Sequence, residues 1–279
     1  MRDELPRRSR PEPLLVLGQV RYQLLLLLRS PLGFFLTLII PLLLLVSLDV
    51  LSPGGAARMP GGLKYAQWLT PAVCAFCLLN AGYVTTITAL VPARDHGILK
   101  RLRGTPLPGR VYLAGRFGQV LVTAVVSIAI IIGTGVLFFG VRMVWASFGY
   151  FVAAAVLGTV SFYLLGAAVT MVVPKTETAL PIAFGTMLPV AFISDVFFSD
   201  AHAPHWLSGL ASAFPVAPVA RAMEDSFNPA KHGWPMSPGG LLVVLAWSAG
   251  AAVVIALWFR WDPGPLHLLP WRHRHPLPH

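Results

Sequence analysis

Six long runs of apolar residues punctuate this chain, at about 31–51, 67–91, 117–141, 147–173, 179–198 and 239–261. Each run is continuous, and each reaches the roughly 20 residues a helix needs to cross a bilayer's hydrocarbon core. Barrel strands need only about 10 residues and alternate strictly between apolar and polar. The pattern therefore predicts an all-α membrane protein with six transmembrane helices. Inside these limits the only acids and bases are Asp49, Asp195 and Arg260, each near a predicted end. Their scarcity fits a cost of about 2.5–3.5 kcal/mol for a charge at mid-span.

The segments between the runs predict further elements. Residues 1–13 combine arginines, acids and prolines with almost no apolar content, the signature of a disordered tail. Residues 14–29 are apolar but interrupted by Gln19, Arg21 and Gln23, and Ser30-Pro31 follows. The residue before a proline disfavours helix, so a separate interfacial helix is expected, with Arg21 and Arg29 reaching for headgroups. The segment from 199 to 240 holds two amphipathic pieces, 206–214 and 219–227, with Pro215 and Pro218 between them. Neither can span, so short re-entrant helices in the outer half of the membrane are expected. Residues 14–261 then form one transmembrane domain, and 262–279 a second tail.

Composition supports the membrane assignment: 56% of the 279 residues are hydrophobic and 11% charged, against about 25% charged in a soluble domain. The net charge of +10 could suggest nucleic acid, yet no basic–aromatic reading surface is present. If the N-terminus is cytoplasmic and the spans alternate, sixteen of the 21 Lys and Arg fall on the inner side. That asymmetry places both termini in the cytoplasm. The first long run exceeds a signal-peptide core and lacks a small-x-small cleavage site, so a retained anchor is expected. Arginine outnumbers lysine and Ala, Gly, Pro and Val abound, which suggests a GC-rich bacterial genome and a bacterial cytoplasmic membrane.

One connection is chemically distinctive. Between the second and third runs lies Arg94-Asp95-His96-Gly97-Ile98-Leu99-Lys100-Arg101-Leu102-Arg103-Gly104-Thr105-Pro106-Leu107. Ile98, Leu99 and Leu102 share one face of a short helix. Arg94, Lys100, Arg101 and Arg103 supply the remaining surface, and Thr105-Pro106 ends it. Such a helix can press an apolar ridge into a partner's groove while its cations meet oxygens around it.

This segment resembles the cytoplasmic loop of ABC transporter permeases of the type-2 export family, which reads Arg-Glu-x-Gly-Thr-Leu-Lys/Glu-Arg-Leu-x-x-Thr-Pro-Leu. Here Asp95 stands where Glu is usual and Ile98 where Thr is usual. Phe192-Ile-Ser-Asp-Val-Phe-Phe198, Ala203-Pro-His-Trp-Leu207, Phe214-Pro-Val-Ala-Pro218 and Phe227-Asn-Pro229 are similar to the fifth span and outer region of that family. The similarity is greatest to its actinobacterial drug-exporter-like members. The resemblance implies a permease whose Arg94–Pro106 segment couples to a separate ABC ATPase, alongside a second permease chain. ATP and Mg would sit on the ATPase: a phosphate-binding loop needs a Gly-Lys pair, and this chain has none.

Polar residues on the spans offer two readings. Asn80 and Tyr83 on the second span, Gln119, Thr123 and Ser127 at four-residue steps on the third, and Asp195 near the end of the fifth are candidates for the translocation path. Equally, the stripe on the third span can hydrogen-bond a neighbouring helix. Cys74 and Cys77 match C-x-x-C but sit in an apolar run, where thiolate chemistry is disfavoured. No catalytic signature occurs and no metal or other cofactor site is expected on this chain. The expected cargo is a small hydrophobic or amphipathic compound: a drug, antibiotic or lipid. A polysaccharide or glycolipid exporter of the same architecture is the alternative, ahead of an ion-gradient transporter or a membrane enzyme.

Overall fold

The computed structural model describes residues 12–29, 31–52, 62–98, 109–194, 205–231 and 233–258. Within them the chain is helical, with no strand. Helix α1 spans Glu12–Arg29 and α2 Pro31–Leu51. The second span is α3, Tyr65–Leu79, a π-helical turn over Asn80–Val84, and α4, Thr85–Asp95. Helix α5 is Gly109–Phe139 and α6 Phe148–Val169, introduced by a 3-10 turn at Trp145–Ser147. Helix α7 is Thr176–Ile193, α8 His205–Ser212, α9 Val216–Ser226 and α10 Pro238–Trp258.

Five of these stretches are long and apolar enough to cross a membrane: 65–95, 111–139, 145–169, 176–193 and 238–257. Helix α2 supplies a sixth apolar helix, 21 residues long with Pro41 inside it. The protein is therefore an all-α membrane protein. The third span begins at Gly109, eight residues before the apolar run, because Arg110 and Arg116 interrupt the hydropathy without interrupting the helix. Pro218 also departs from expectation. It lies in the first turn of α9 instead of ahead of it, where the missing N–H would have had no partner in any case.

The second span is the axis of the bundle. Nearly every residue of α3 is buried, enclosed by α2, α5, α6 and α9. The core built around it includes Leu69, Val73, Phe76, Leu78 and Ile87 from this span, with Phe162 from α6 and Val219, Met223 and Phe227 from the α9 region. Gln67 fixes its first turn: Nε2 donates to the carbonyls of Arg142 at 2.7 Å and Phe227 at 2.9 Å, and Oε1 accepts from Arg142 N at 2.8 Å. Trp68 Nε1 donates to Glu224 Oε2 at 2.9 Å. One end of the axis is thus tied to the turn after α5 and to α9. The 31-residue helix then runs about 46 Å at 1.5 Å per residue before Asp95 ends it at the opposite end.

Candidate functional site

The distinctive segment starts where α4 stops. His96 N donates to Pro92 O at 2.9 Å and Gly97 N to Arg94 O at 3.1 Å. Gly97 has φ of +68°, the left-handed conformation that closes helices and that any Cβ would penalise. Ile98 follows and is 45% exposed, a large apolar side chain left uncovered by its own chain. Leu99, Lys100, Arg101, Leu102, Arg103, Thr105 and Pro106, and with them the predicted coupling helix, lie outside the described residues.

Arg94 and Asp95 grip the turn between α6 and α7. Arg94 is half-buried; Nη1 donates to Thr170 O at 2.6 Å and Nη2 to Val173 O. These carbonyls follow the last turn of α6, where a cation also meets the negative end of the helix dipole. Asp95 Oδ2 accepts from Thr176 N at 3.1 Å and from Thr176 Oγ1 at 2.8 Å. Thr176 is the first residue of α7, so a carboxylate from another span supplies the cap that Lys175 does not. Two adjacent residues at the end of the second span therefore hold the end of one helix and the start of the next.

The intramembrane candidates divide by burial. Gln119, Thr123 and Ser127 are all buried within the chain. Gln119 Nε2 lies 3.2 Å from Thr123 Oγ1, which itself donates to Gln119 O at 2.9 Å. Asn80 opens the π turn and is also buried, and Asn80 Nδ2, Gln119 Oε1 and Ser127 Oγ have no partner among the described residues. Tyr83 differs. It is half-buried, and its hydroxyl is 2.9 Å from Thr186 Oγ1 on α7. Thr186 already gives its proton to Ile182 O at 2.7 Å, so Tyr83 donates and its own oxygen keeps acceptor capacity. Asp195 lies outside the described residues.

The π turn that presents Tyr83 is held by a close helix crossing. A Cβ added at Gly166 would come within 2.8 Å of Tyr83 O, and one at Gly82 within 2.8 Å of Phe162 Cβ. Small residues at such a crossing let backbones approach without losing packing.

The residue pattern did not single out Arg116, which is 9% exposed inside the bundle. Its Nη1 donates to Gln23 Oε1 at 2.8 Å and its Nη2 to Thr85 O at 3.0 Å. It links α1 to the second span just past the π turn. Flanking glycines allow this: a Cβ on Gly115 would meet Gln19 Cβ at 2.4 Å, and one on Gly118 would meet Val20 Cγ2 at 2.4 Å. The sequence signal was the Gly-Arg-Phe-Gly spacing, which puts two small residues beside an arginine on one helix face. Because hydropathy places Arg116 just ahead of the run, it reads as a topology charge.

No curated protein matches this chain. The family model described as ABC-2 type transporter matches residues 17–227, which takes in most of α1, the axial span, the Arg94–Asp95 clasp and α9. A multi-pass helical membrane domain matched over that length is a transport component, whose family implies an ABC ATPase partner. The chain belongs to the ABC-2 type transporter family, as a membrane-spanning permease subunit.

Proposed function

We propose that this permease works as an exporter in a bacterial cytoplasmic membrane, carrying a hydrophobic or amphipathic compound outward with ATP and Mg bound on a separate ATPase chain. Both termini lie in the cytoplasm, residues 14–261 form one transmembrane domain between two tails, and a second permease chain completes the pore. The ATPase docks on the segment from Arg94 to Pro106, where Ile98, Leu99 and Leu102 form the apolar ridge and Lys100, Arg101 and Arg103 the cationic rim.

The observation that carries this reading is the double grip of Arg94 and Asp95 on the turn from Thr170 to Thr176. Displacement of the docking segment would be delivered at once to the end of α6 and the start of α7, because both are hydrogen-bonded to the residues that begin it. Rigid helices then carry the movement to Tyr83 and Thr186, which lie along α7 and the axial span. Tyr83 is the path contact in this reading, its oxygen accepting a donor from the cargo. Gln119, Thr123, Ser127 and Asn80 are buried in the packed interior and lie off the path in this reading. Few fixed charges line the spans, which favours an apolar or amphipathic cargo over an ionic solute.

The test is a double substitution, Ile98→Asp with Leu102→Asp. Membrane insertion should be unchanged, while copurification with the ATPase and cargo-stimulated ATP hydrolysis should be lost. Copurification and stimulated hydrolysis at the unmutated level would overturn the docking assignment.

A further inference from the structure

Helix α1 has two faces of opposite character. One holds Gln23, the helix's buried residue, against Arg116, with Gln19 and Val20 packed on Gly115 and Gly118. The other is uncovered. Leu14, Leu17, Leu25 and Leu28 are 56%, 63%, 43% and 62% exposed, and Arg21 and Arg29 are exposed among them. Steps of three and four residues from Leu14 through Leu17, Arg21 and Leu25 to Leu28 put them on one side of the helix.

An arginine set in the middle of an uncovered leucine face has a narrow choice of surroundings. Water leaves the leucines unburied, and hydrocarbon strands the guanidinium. The headgroup layer of a bilayer accepts both, with leucines entering the acyl boundary and the guanidinium at phosphate level. Charge selects among headgroups. The first 29 residues hold six arginines against Asp3, Glu4 and Glu12, an excess that attracts anionic lipid. We propose that the exposed face of α1 is a docking surface for anionic phospholipid headgroups. Arg116 carries the occupancy of that surface to the second span beside its π turn, which makes transport sensitive to the charge of the leaflet. Only this last consequence, and the identity of the leaflet, rest on the exporter reading.

The headgroup preference can be measured on the full-length chain without any ATPase. A side chain added at Gly18 meets nothing within 4 Å, and Cys74 and Cys77 are buried, so Gly18→Cys accepts a fluorophore selectively. The labelled chain goes into phosphatidylcholine vesicles with equal fractions of nitroxide-bearing phosphatidylglycerol or nitroxide-bearing phosphatidylcholine. Quenching by the anionic lipid should be steeper by about two-fold or more. Arg21→Gln with Arg29→Gln should equalise the two lipids, and the matching lysine pair should restore the preference. Equal quenching in the unmutated chain, shielding from both lipids, or a preference that survives the glutamine pair would each overturn the proposal. Loss of ATPase coupling with the preference intact would count against the exporter reading alone.

Discussion

In the second span, 83% of the most apolar stretch is buried inside the chain, whereas in the sixth, α10, the share is 11%. Both are long apolar helices, yet they meet different neighbours and carry different residues. The second span holds Gln67, Thr70, Asn80, Thr85 and Thr86 in buried positions, a π turn, and two ends tied by side-chain hydrogen bonds. Polar ties are fewer in α10: Ser248 Oγ donates to Val244 O one turn back at 2.7 Å, and Trp247 Nε1 donates to Ala213 O, just past α8, at 2.8 Å. The contrast follows from the solvent. Lipid tails are as apolar as leucine, so burying apolar surface does little to gather helices in a bilayer. Small residues and hydrogen bonds decide which helix sits at the centre.

A pair of glycines tests this most severely. Gly166 faces the backbone of the second span at 2.8 Å from Tyr83 O and 3.1 Å from Gly82 O once a Cβ is added, and backbone atoms cannot swing aside. Gly250, on α10, meets nothing within 4 Å. Gly166→Ala should therefore cost about 1–3 kcal/mol. Gly250→Ala should be neutral or stabilise by up to about 1 kcal/mol through helix propensity. A thiol-reactive dye reports unfolding directly, since Cys74 and Cys77 are buried until the axis opens. Equal melting temperatures for the two variants would remove the second span from its central role.

The next effect concerns the clasp. Arg94→Met removes the donors from Thr170 O and Val173 O and should cost about 1.5–3 kcal/mol, the range for hydrogen bonds to charged groups. Asp95→Ala removes the cap on α7 from an exposed position, so its main effect should be mechanical. ATP hydrolysis should persist while cargo moved per ATP falls, measured together in vesicles holding the permease and its ATPase. Asp95→Asn keeps an acceptor oxygen for Thr176 and should recover much of that ratio. Ser248→Ala, the matching loss on α10, should leave it unchanged.

Hydropathy period and length made the helical membrane fold legible, because the bilayer imposes a length on each helix that the sequence must meet. The amphipathic pieces between the fifth and sixth runs were legible for the same reason: two segments too short to span, set apart by proline. What was not legible was contact. Nothing in Arg94-Asp95 indicates that its side chains reach 76 to 81 residues ahead, since every partner except Thr176 Oγ1 is a backbone group that carries no sequence signal. Arg116 was hidden by its own position, where a buried clamp and a topology charge look alike. The π turn was equally silent: one extra residue shifts the helical phase, but a span buried on nearly every side has no polar face to show the shift. Tyr83 and Ser127 entered the sequence reading as equals, and only burial separates them.

That separation gives the smallest and sharpest comparison. Ser127 Oγ is buried with no hydrogen-bond partner among the described residues, so Ser127→Ala removes a desolvated hydroxyl that gains nothing from its surroundings. The melting temperature should hold or rise slightly, within about 0.5 kcal/mol, and the cargo concentration at half-maximal transport should not move. Tyr83→Phe removes one hydroxyl too, but from a half-buried ring whose oxygen retains an open acceptor site beside Thr186. Its stability change should also be small, near the roughly 1 kcal/mol of a single neutral hydrogen bond. The half-maximal concentration should instead rise several-fold for a cargo with a hydrogen-bond donor, and stay put for a cargo of similar size without one. A shift for Ser127→Ala equal to that for Tyr83→Phe would mean that cargo passes through the packed interface of the third span, and the path would have to be redrawn there.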